Sequence, residues 1–384
     1  MSTGEDYVLL GLRLGKHVTG LVDSYYGPQD LKDAVDDEPP VHAAELASDA
    51  ERLHGGLDDG WLRDQVRGLW TYARVLAGER LSYADEVEGC YGVRPQRTPE
   101  SVFEDAHRAL DELLPGDGSL FERRVAWRER HLVAGPDALR AFEALLPFFR
   151  ERTARVVELP DGEEVEVGEA PGEPWWAFNH YLGNRRSRVV LNTDVPTTTL
   201  DLLHLVAHEV YPGHHTEHAV KEQRLYDDAG LVEEAIQLVP TPQAVLSEGI
   251  AETGLDIVLD DDARSEAYAI LRRLGLPLGD PARAEAVAKA AEPLGGASLN
   301  AALLIHEDGA SFDDAVDYFS RWVLRPPEQA RRSVEFLTDP TWRAYTITYD
   351  AGRELCSAYV GGDARRFRTL VTEQVRIGDL QRIP

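Results

Sequence analysis

Cysteine is scarce in this chain, with only Cys90 and Cys356 in 384 residues. Two thiols cannot build a disulfide framework, and neither stands in a paired metal motif. Basic residues are outnumbered, 40 against 68 acidic ones, which leaves a formal net charge of −28 and a pI near 4.8. That balance argues against nucleic acid or an anionic membrane as partner. It gives solubility and a negative field that would draw cationic or amine-bearing substrates. No stretch approaches 18 apolar residues, so the sequence offers no membrane span. The first residues, MSTGEDYVLLGLRLGKH, are acidic and lack the cationic start and long apolar run of a signal peptide. A cytoplasmic enzyme is the expectation. P-loop, G-x-S-x-G and C-x-x-C patterns are all missing, and no internal repeat is visible.

What is present is apolar substance and helical periodicity. With 43% hydrophobic residues the chain can bury a large core, and its length exceeds the roughly 250–300 residues at which one core stops growing. Two lobes or one large helical body are both compatible with that length. Helical patterns run through the first 158 residues, among them Tyr7 to Val22, Val41 to Leu57, Trp61 to Ala77, Glu100 to Leu114 and Pro136 to Leu159. From Leu159 the pattern changes to alternation, β-branched residues and glycine turns. Strands are expected at Glu163 to Val167, Trp176 to Tyr181 and Ser187 to Asn192, with Leu182 to Asn184 as a hairpin turn. The expectation is a mainly α protein, one unit with a helical lobe over 1–158. Residues 159–384 would carry a small antiparallel sheet beside the functional site. Arg185, Arg186 and Arg188 follow that turn and are candidates for contacting an acidic group.

Histidine is concentrated in one place. LDLLHLVAHEVYPGHHTEHAVKEQRL, Leu200 to Leu225, holds five of the twelve: His204, His208, His214, His215 and His218. Leu200, Leu203, Ala207 and Val210 step at the helical period, and Thr197 to Thr199 can cap the start. Two histidines one turn apart with a following Glu are the beginning of a zinc hydrolase signature, H-E-x-x-H, in which the Glu handles the proton of the attacking water. Here Pro212 occupies the fifth position, and His214 comes six residues after His208. On an unbroken helix that is a rotation of about 600°, which would turn His214 about 120° away from His208. Pro212 removes a backbone donor and Gly213 tolerates unusual dihedrals, so a bulge could loop out two residues and bring His214 into register. Two alternatives stay open. His204 and His208 are one turn apart and need no distortion, but Glu209 would then follow the second ligand. His215 lies two turns on, about 10 Å along the axis, which makes chelation with His208 awkward.

HEVYPGHH resembles the His-Glu-x-x-Pro-Gly-His-His motif of a large bacterial family described as distantly related to helical zinc carboxypeptidases and oligopeptidases of the neurolysin-like group. Ser247 to Ala251, SEGIA, is similar to that family's Glu-Gly-Trp-Ala segment, with Ile250 in place of Trp. YTITYDAGREL, Tyr345 to Leu355, resembles its C-terminal tyrosine segment but lacks the Pro-Gly-Gln. The resemblance implies a helical fold with a deep zinc-peptidase cleft and short, unstructured substrates.

A site built on one broken helix still lacks a third protein ligand, and such hydrolases commonly take a Glu from a following helix. The helix expected at Gln243 to Asp260 carries Glu248, with Glu252 one turn later as ligand or as partner to a ligand histidine. Tyr345, Tyr349 and Arg353 recur every four residues on a later helix. A tyrosine there could stabilise an oxyanion, and an arginine could grip a carboxylate. The reading is therefore a zinc-dependent hydrolase of a peptide bond in short peptides. One zinc would be held by His208, His214 and Glu248, with Glu209 as proton acceptor and Tyr345, Tyr349 or Arg353 contacting the substrate. A non-catalytic metal- or peptide-binding protein, or a hydrolase of a non-peptide amide, would use the same residues.

Overall fold

A computed structural model describes residues 2–173 and 175–382. The chain is mainly α-helical, as its periodicity predicts. The first half contributes α1 (Thr3–Gly15), α2 (Gln29–Asp37), α3 (Ala43–Gly56), α4 (Trp61–Leu76), α5 (Tyr83–Tyr91), α6 (Glu100–Leu113), α7 (Leu120–Arg130) and α8 (Gly135–Ala154). The second half contributes α9 (Asp201–Glu209), α10 (His214–Lys221), α11 (Pro242–Val258), α12 (Asp261–Arg273), α13 (Pro281–Ala291) and α14 (Ala297–His306). It closes with α15 (Phe312–Val323), α16 (Pro327–Thr338), α17 (Ile347–Val360), α18 (Ala364–Thr372) and α19 (Ile377–Leu380). Hydroxyl and carboxylate caps start many of these. Ser311 accepts from the Asp314 amide at 3.1 Å while Asp314 reaches back to the Ser311 amide, a reciprocal capping box. No helix among the described residues is long and apolar enough to cross a membrane.

The strands are β1 (Val22–Tyr25), β2 (Leu132–Val133), β3 (Glu164–Glu169), β4 (Ala177–Gly183), β5 (Arg186–Leu191), β6 (Thr197–Thr198) and β7 (Ile236–Leu238). The three predicted strands are β3, β4 and β5. Gly183, Asn184 and Arg185 turn the β4–β5 hairpin with φ of 72°, 53° and 58°, and the pair is antiparallel. β3 departs from the antiparallel expectation. It lies beside β5 in parallel, Val165 opposite Ser187 and Val167 opposite Val189, giving the order β3-β5-β4. Alternation predicts a strand but not its neighbour. The helix expected over Tyr7 to Val22 also ends early, because Val22 leaves to pair with Leu238 in an antiparallel β1–β7 ribbon. A pairing over so long a sequence separation leaves no trace in local periodicity.

Among the described residues four apolar cores hold the elements together, and they do not divide at residue 158. Tyr7, Leu10, Leu14, Leu46, Val66 and Leu69 from α1, α3 and α4 pack with Ile236 and Leu238 of β7. Val87 and Tyr91 of α5 belong to the core of α11 and α17. Phe103 and Leu110 of α6 join Val287 of α13 and Trp322 of α15. The fourth core, Phe142, Leu145 and Phe149 of α8 with Leu202, Val206 and Val210, backs the histidine helix.

The approach of α11 to α17 sets the site's width. A Cβ at Gly249 would lie 2.4 Å from the Gly352 carbonyl oxygen, and one at Gly352 would lie 2.4 Å from the Val245 carbonyl oxygen. The two helices thus touch backbone to backbone, and Glu248 and Tyr345 meet because both glycines lack a side chain.

Candidate metal centre

The helix does break between Tyr211 and Gly213. Val210 (φ −126°, ψ −79°) and Gly213 (φ −77°, ψ −136°) are both non-helical, and the Tyr211–Pro212 peptide bond is cis. Hydrogen bonds show how the insertion is absorbed. The Gly213 amide donates to Ala207 O at 2.8 Å and the Thr216 amide to Val210 O at 3.2 Å. Each spans six residues where a regular helix spans four, so two residues are looped out. The Thr216 hydroxyl secures the same Val210 carbonyl at 2.9 Å. Gly213 is required by space, since a Cβ there would lie 1.9 Å from His208 O. The result is that the His208 and His214 rings stand 4.7 Å apart at 88°.

Donor atoms of His208, His214 and Glu248 all lie within 4.8 Å of one another. His208 Nε2 is 3.3 Å and His214 Nε2 3.9 Å from the Glu248 carboxylate. Glu248 Oε2 is buried and has no hydrogen-bond partner. A buried, unpartnered carboxylate oxygen is expensive, and His208 Nε2 stands 3.3 Å from it, with His214 Nε2 nearer the other oxygen. Two nitrogens and one oxygen are the donor set of a mononuclear zinc site with a position left open. The surrounding charge points the same way. Burial first, then Glu248 and Glu209, push the Asp23 carboxyl of β1 up to about 7. Burial also raises Glu209, with His208 and His214 opposing it and Glu248 adding to it. A divalent cation would relieve this crowding of carboxylates.

Each member of this trio is held from behind. Glu217, fully buried on α10, accepts from Lys221 Nζ and Gln243 Nε2 at 2.7 Å and from Ser247 Oγ at 2.6 Å. Burial opposes its ionised form, but Lys221 and His218 win and hold it below the usual carboxylate range. Ser247 has therefore spent its proton on Glu217. His214 Nδ1, 3.1 Å from Ser247 Oγ, must be the protonated nitrogen and donate, which leaves Nε2 free for a cation. On the other histidine, His208 Nδ1 faces Glu252 Oε1 at 3.3 Å, where a carboxylate would orient a metal-bound imidazole. We expect Ser247→Ala to weaken zinc affinity about 10–100-fold, measured by competition with a chelating dye. Unchanged affinity would remove the tautomer argument.

Both ring nitrogens of His215 are engaged away from Glu248. Fully buried, His215 lies 2.8 Å from both Ser187 Oγ and Glu163 Oε2. Tyr211 OH and Arg150 Nε also donate to Glu163, each at 2.5 Å. This network ties both sides of the break to β5 and the start of β3. Burial disfavours the Glu163 carboxylate, yet the bonds from His215 and Tyr211 prevail and bring it down to about 2 from 4.5. Its stabilisation is thus complete above pH ~4.5 and is lost as pH falls towards 2. Denaturant melts of the parent should lose more stability between pH 5 and 3 than those of Glu163→Gln, by on the order of 2 kcal/mol; parallel pH profiles would contradict this.

His204, the other alternative, sits 3.5 Å from Glu252 Oε1, and His204, His208 and Glu252 form a second trio within 4.8 Å. The His208 nitrogen facing that trio is Nδ1, the one turned away from Glu248. Glu209 follows His208 with a buried carboxylate, and its carbonyl accepts from Asn179 Nδ2 of β4 at 2.6 Å, which seats the sheet against the site. Tyr345 donates to Glu248 Oε1 at 2.6 Å, so it steadies a ligand. Tyr349 is 38% exposed and, with Glu252, Asp350 and Arg353, lines a cavity of about 230 Å³. Burial, then Glu248, keeps the Tyr349 hydroxyl protonated well above its usual range. Arg353 is already held by Glu292 at 3.1 Å and Asp350 at 3.5 Å, which leaves it poorly placed to grip a carboxylate. Arg185, Arg186 and Arg188 face Asp227, Glu164 and Glu166 on the surface. The sequence pattern does not mark Asp23, Ser247, Glu217 or Glu163 as site residues. Ser247, adjoining Glu248 in the SEGIA segment, and Glu217, one turn after His214, were within reach of a search for partners; Asp23 and Glu163 arrive from distant strands.

No family model and no curated protein matches this chain. Among solved structures, a protein of Colwellia psychrerythraea described as a "putative lipoprotein" superimposes with a TM-score of 0.54 at 15% identity, covering 92% of this chain and 68% of the other. A second, from Shewanella oneidensis and described as a "putative lipoprotein of unknown function", gives a TM-score of 0.48 at 12% identity, covering 92% and 69%. The first shares the fold.

Proposed function

We propose that this protein is a zinc-dependent hydrolase that cleaves a peptide bond in short peptides. The observation that carries the reading is the break at Pro212–Gly213, which absorbs two residues and turns His214 to face Glu248 beside His208. His208 Nε2, His214 Nε2 and Glu248 would hold the cation. A zinc ion bound there supplies Lewis acidity, acidifying water and polarising a carbonyl. Glu209 makes no side-chain hydrogen bond among the described residues, so its carboxylate is free to take the proton of the attacking water and pass it to the leaving amine. Burial raises its pKa, with His208 and His214 opposing the rise. Tyr349 keeps its hydroxyl proton and stands on the open side of the site as an oxyanion donor. The resemblance of HEVYPGHH to the zinc-peptidase-like family supports the same reading.

The test is metal analysis followed by a peptide-library digest. We expect one zinc per chain, loss of cleavage on dialysis against a chelator, and recovery on adding zinc. Bound zinc with no cleavage of any peptide or amide would favour a binding protein on a hydrolase scaffold. Absence of a bound divalent cation would sink both readings.

A further inference from the structure

Three arginines converge in a chain that is otherwise strongly acidic. Arg124 and Arg128 sit one turn apart on α7 and so share a face. Arg325 follows the end of α15, where Leu324 takes a left-handed conformation at φ 56° and redirects the chain. All three line one cavity of about 230 Å³, together with Glu292, Leu294, Gly295, Val323 and Leu324. Counter-charge is short. Asp201 reaches Arg128 at 3.3 Å, and Glu292 is committed to Arg353. Among the described residues the Arg124 and Arg325 guanidinium groups have no hydrogen-bond or ion-pair partner.

Like charges crowded into a partly desolvated space cost stability unless something negative joins them. Burial, then Arg128 and Arg325, push Arg124 down to about 10, which still leaves it charged at neutral pH. Burial and Arg128 lower Arg325 in the same way. A chain with a net charge of −28 has carboxylates to spare, yet only Glu292 lines this cavity and it is paired with Arg353.

We infer that the Arg124–Arg128–Arg325 cavity is a binding site for an oxyanion, a carboxylate or a phosphate. Guanidinium forks match both groups in shape, and three of them can surround one such anion. The location gives the site a use. Gly295 lines this cavity and also the one beside Tyr349 and Glu252, and the Arg353–Glu292 pair stands between them. A peptide with its scissile bond at the metal centre could thus extend its carboxylate end towards the arginines. That use rests on the proposed hydrolase activity; the anion site itself does not.

The experiment has a binding arm and a turnover arm. In the first, inorganic phosphate and, separately, succinate are titrated into the full-length protein at constant ionic strength made up with chloride, and the melting temperature is followed. A saturable rise is expected with one or both, weakened at least 10-fold in the Arg124→Gln/Arg325→Gln double variant. Without added anion that variant should melt no lower than the parent, because the substitutions relieve repulsion. No rise beyond that with chloride, or an equal rise in the double variant, overturns the site. In the second arm, peptides with a free C-terminal carboxylate are compared with their amides. A preference for the free acid in KM that collapses in the double variant identifies the oxyanion as the substrate's. Equal KM values with phosphate binding intact identify a free anion. If no peptide is cleaved, the hydrolase reading fails while the first arm still decides the anion site.

Discussion

Glu209→Gln should leave one zinc bound per chain and reduce peptide turnover about 10²–10⁴-fold, the usual contribution of a positioned general base. The substitution keeps the shape of the side chain and removes its ability to accept a proton. Glu209 is 6% exposed, and the bond that seats it is made by its carbonyl to Asn179, which the variant preserves. The fold should therefore survive, with a melting temperature close to the parent's. Turnover number, KM and zinc content measured on the same preparation separate the outcomes. A variant with undiminished turnover would remove Glu209 from the chemistry. A variant that had lost its zinc would make Glu209 part of the metal site instead.

Gly213→Ala should be the most damaging single-methyl change in the chain. The added Cβ would lie 1.9 Å from His208 O and 2.5 Å from Ala207 O, both backbone atoms that cannot swing aside. Either the bulge opens or the helix realigns, and both outcomes turn His214 away from Glu248. A loss on the order of 3 kcal/mol is expected, at the upper end for point substitutions, together with loss of zinc. Gly55→Ala is the matching control. Gly55 lies within α3, and nothing stands within 4 Å of the new methyl. Its effect should be neutral or slightly stabilising, since alanine favours a helix over glycine by up to ~1 kcal/mol. A Gly213→Ala protein with unchanged melting temperature and full zinc content would contradict the geometry of the break.

Much of this was legible in the residues because the information is local. His208, Glu209, Pro212, Gly213 and His214 lie within seven positions, and a helix converts such spacing into direction. Conflict between a six-residue spacing and a four-residue turn could be noticed, and its remedy named, without coordinates. The nearness of Glu248 to the two histidines was legible as well, because the next strong helix carries it. Residues that hold these side chains in place carry no such local mark. Ser247 and Glu217 look like ordinary polar positions until the helices pack. Asp23 arrives on β1, which exists only because Val22 meets Leu238.

The sequence by itself determined the helical class, the concentration of histidine, the place of the break and the acidic character of the chain, since each depends on neighbours along the backbone. Tertiary structure alone decided which histidines face Glu248. Folding placed the Glu163 network on His215 and the Ser247–Glu217 chain on His214, so one imidazole is consumed in packing and the other is left with a free nitrogen. It also gathered Arg124, Arg128 and Arg325 from α7 and the end of α15 around one cavity. Periodicity fixes which side of a helix a residue occupies, but only the meeting of two distant helices fixes what that side touches.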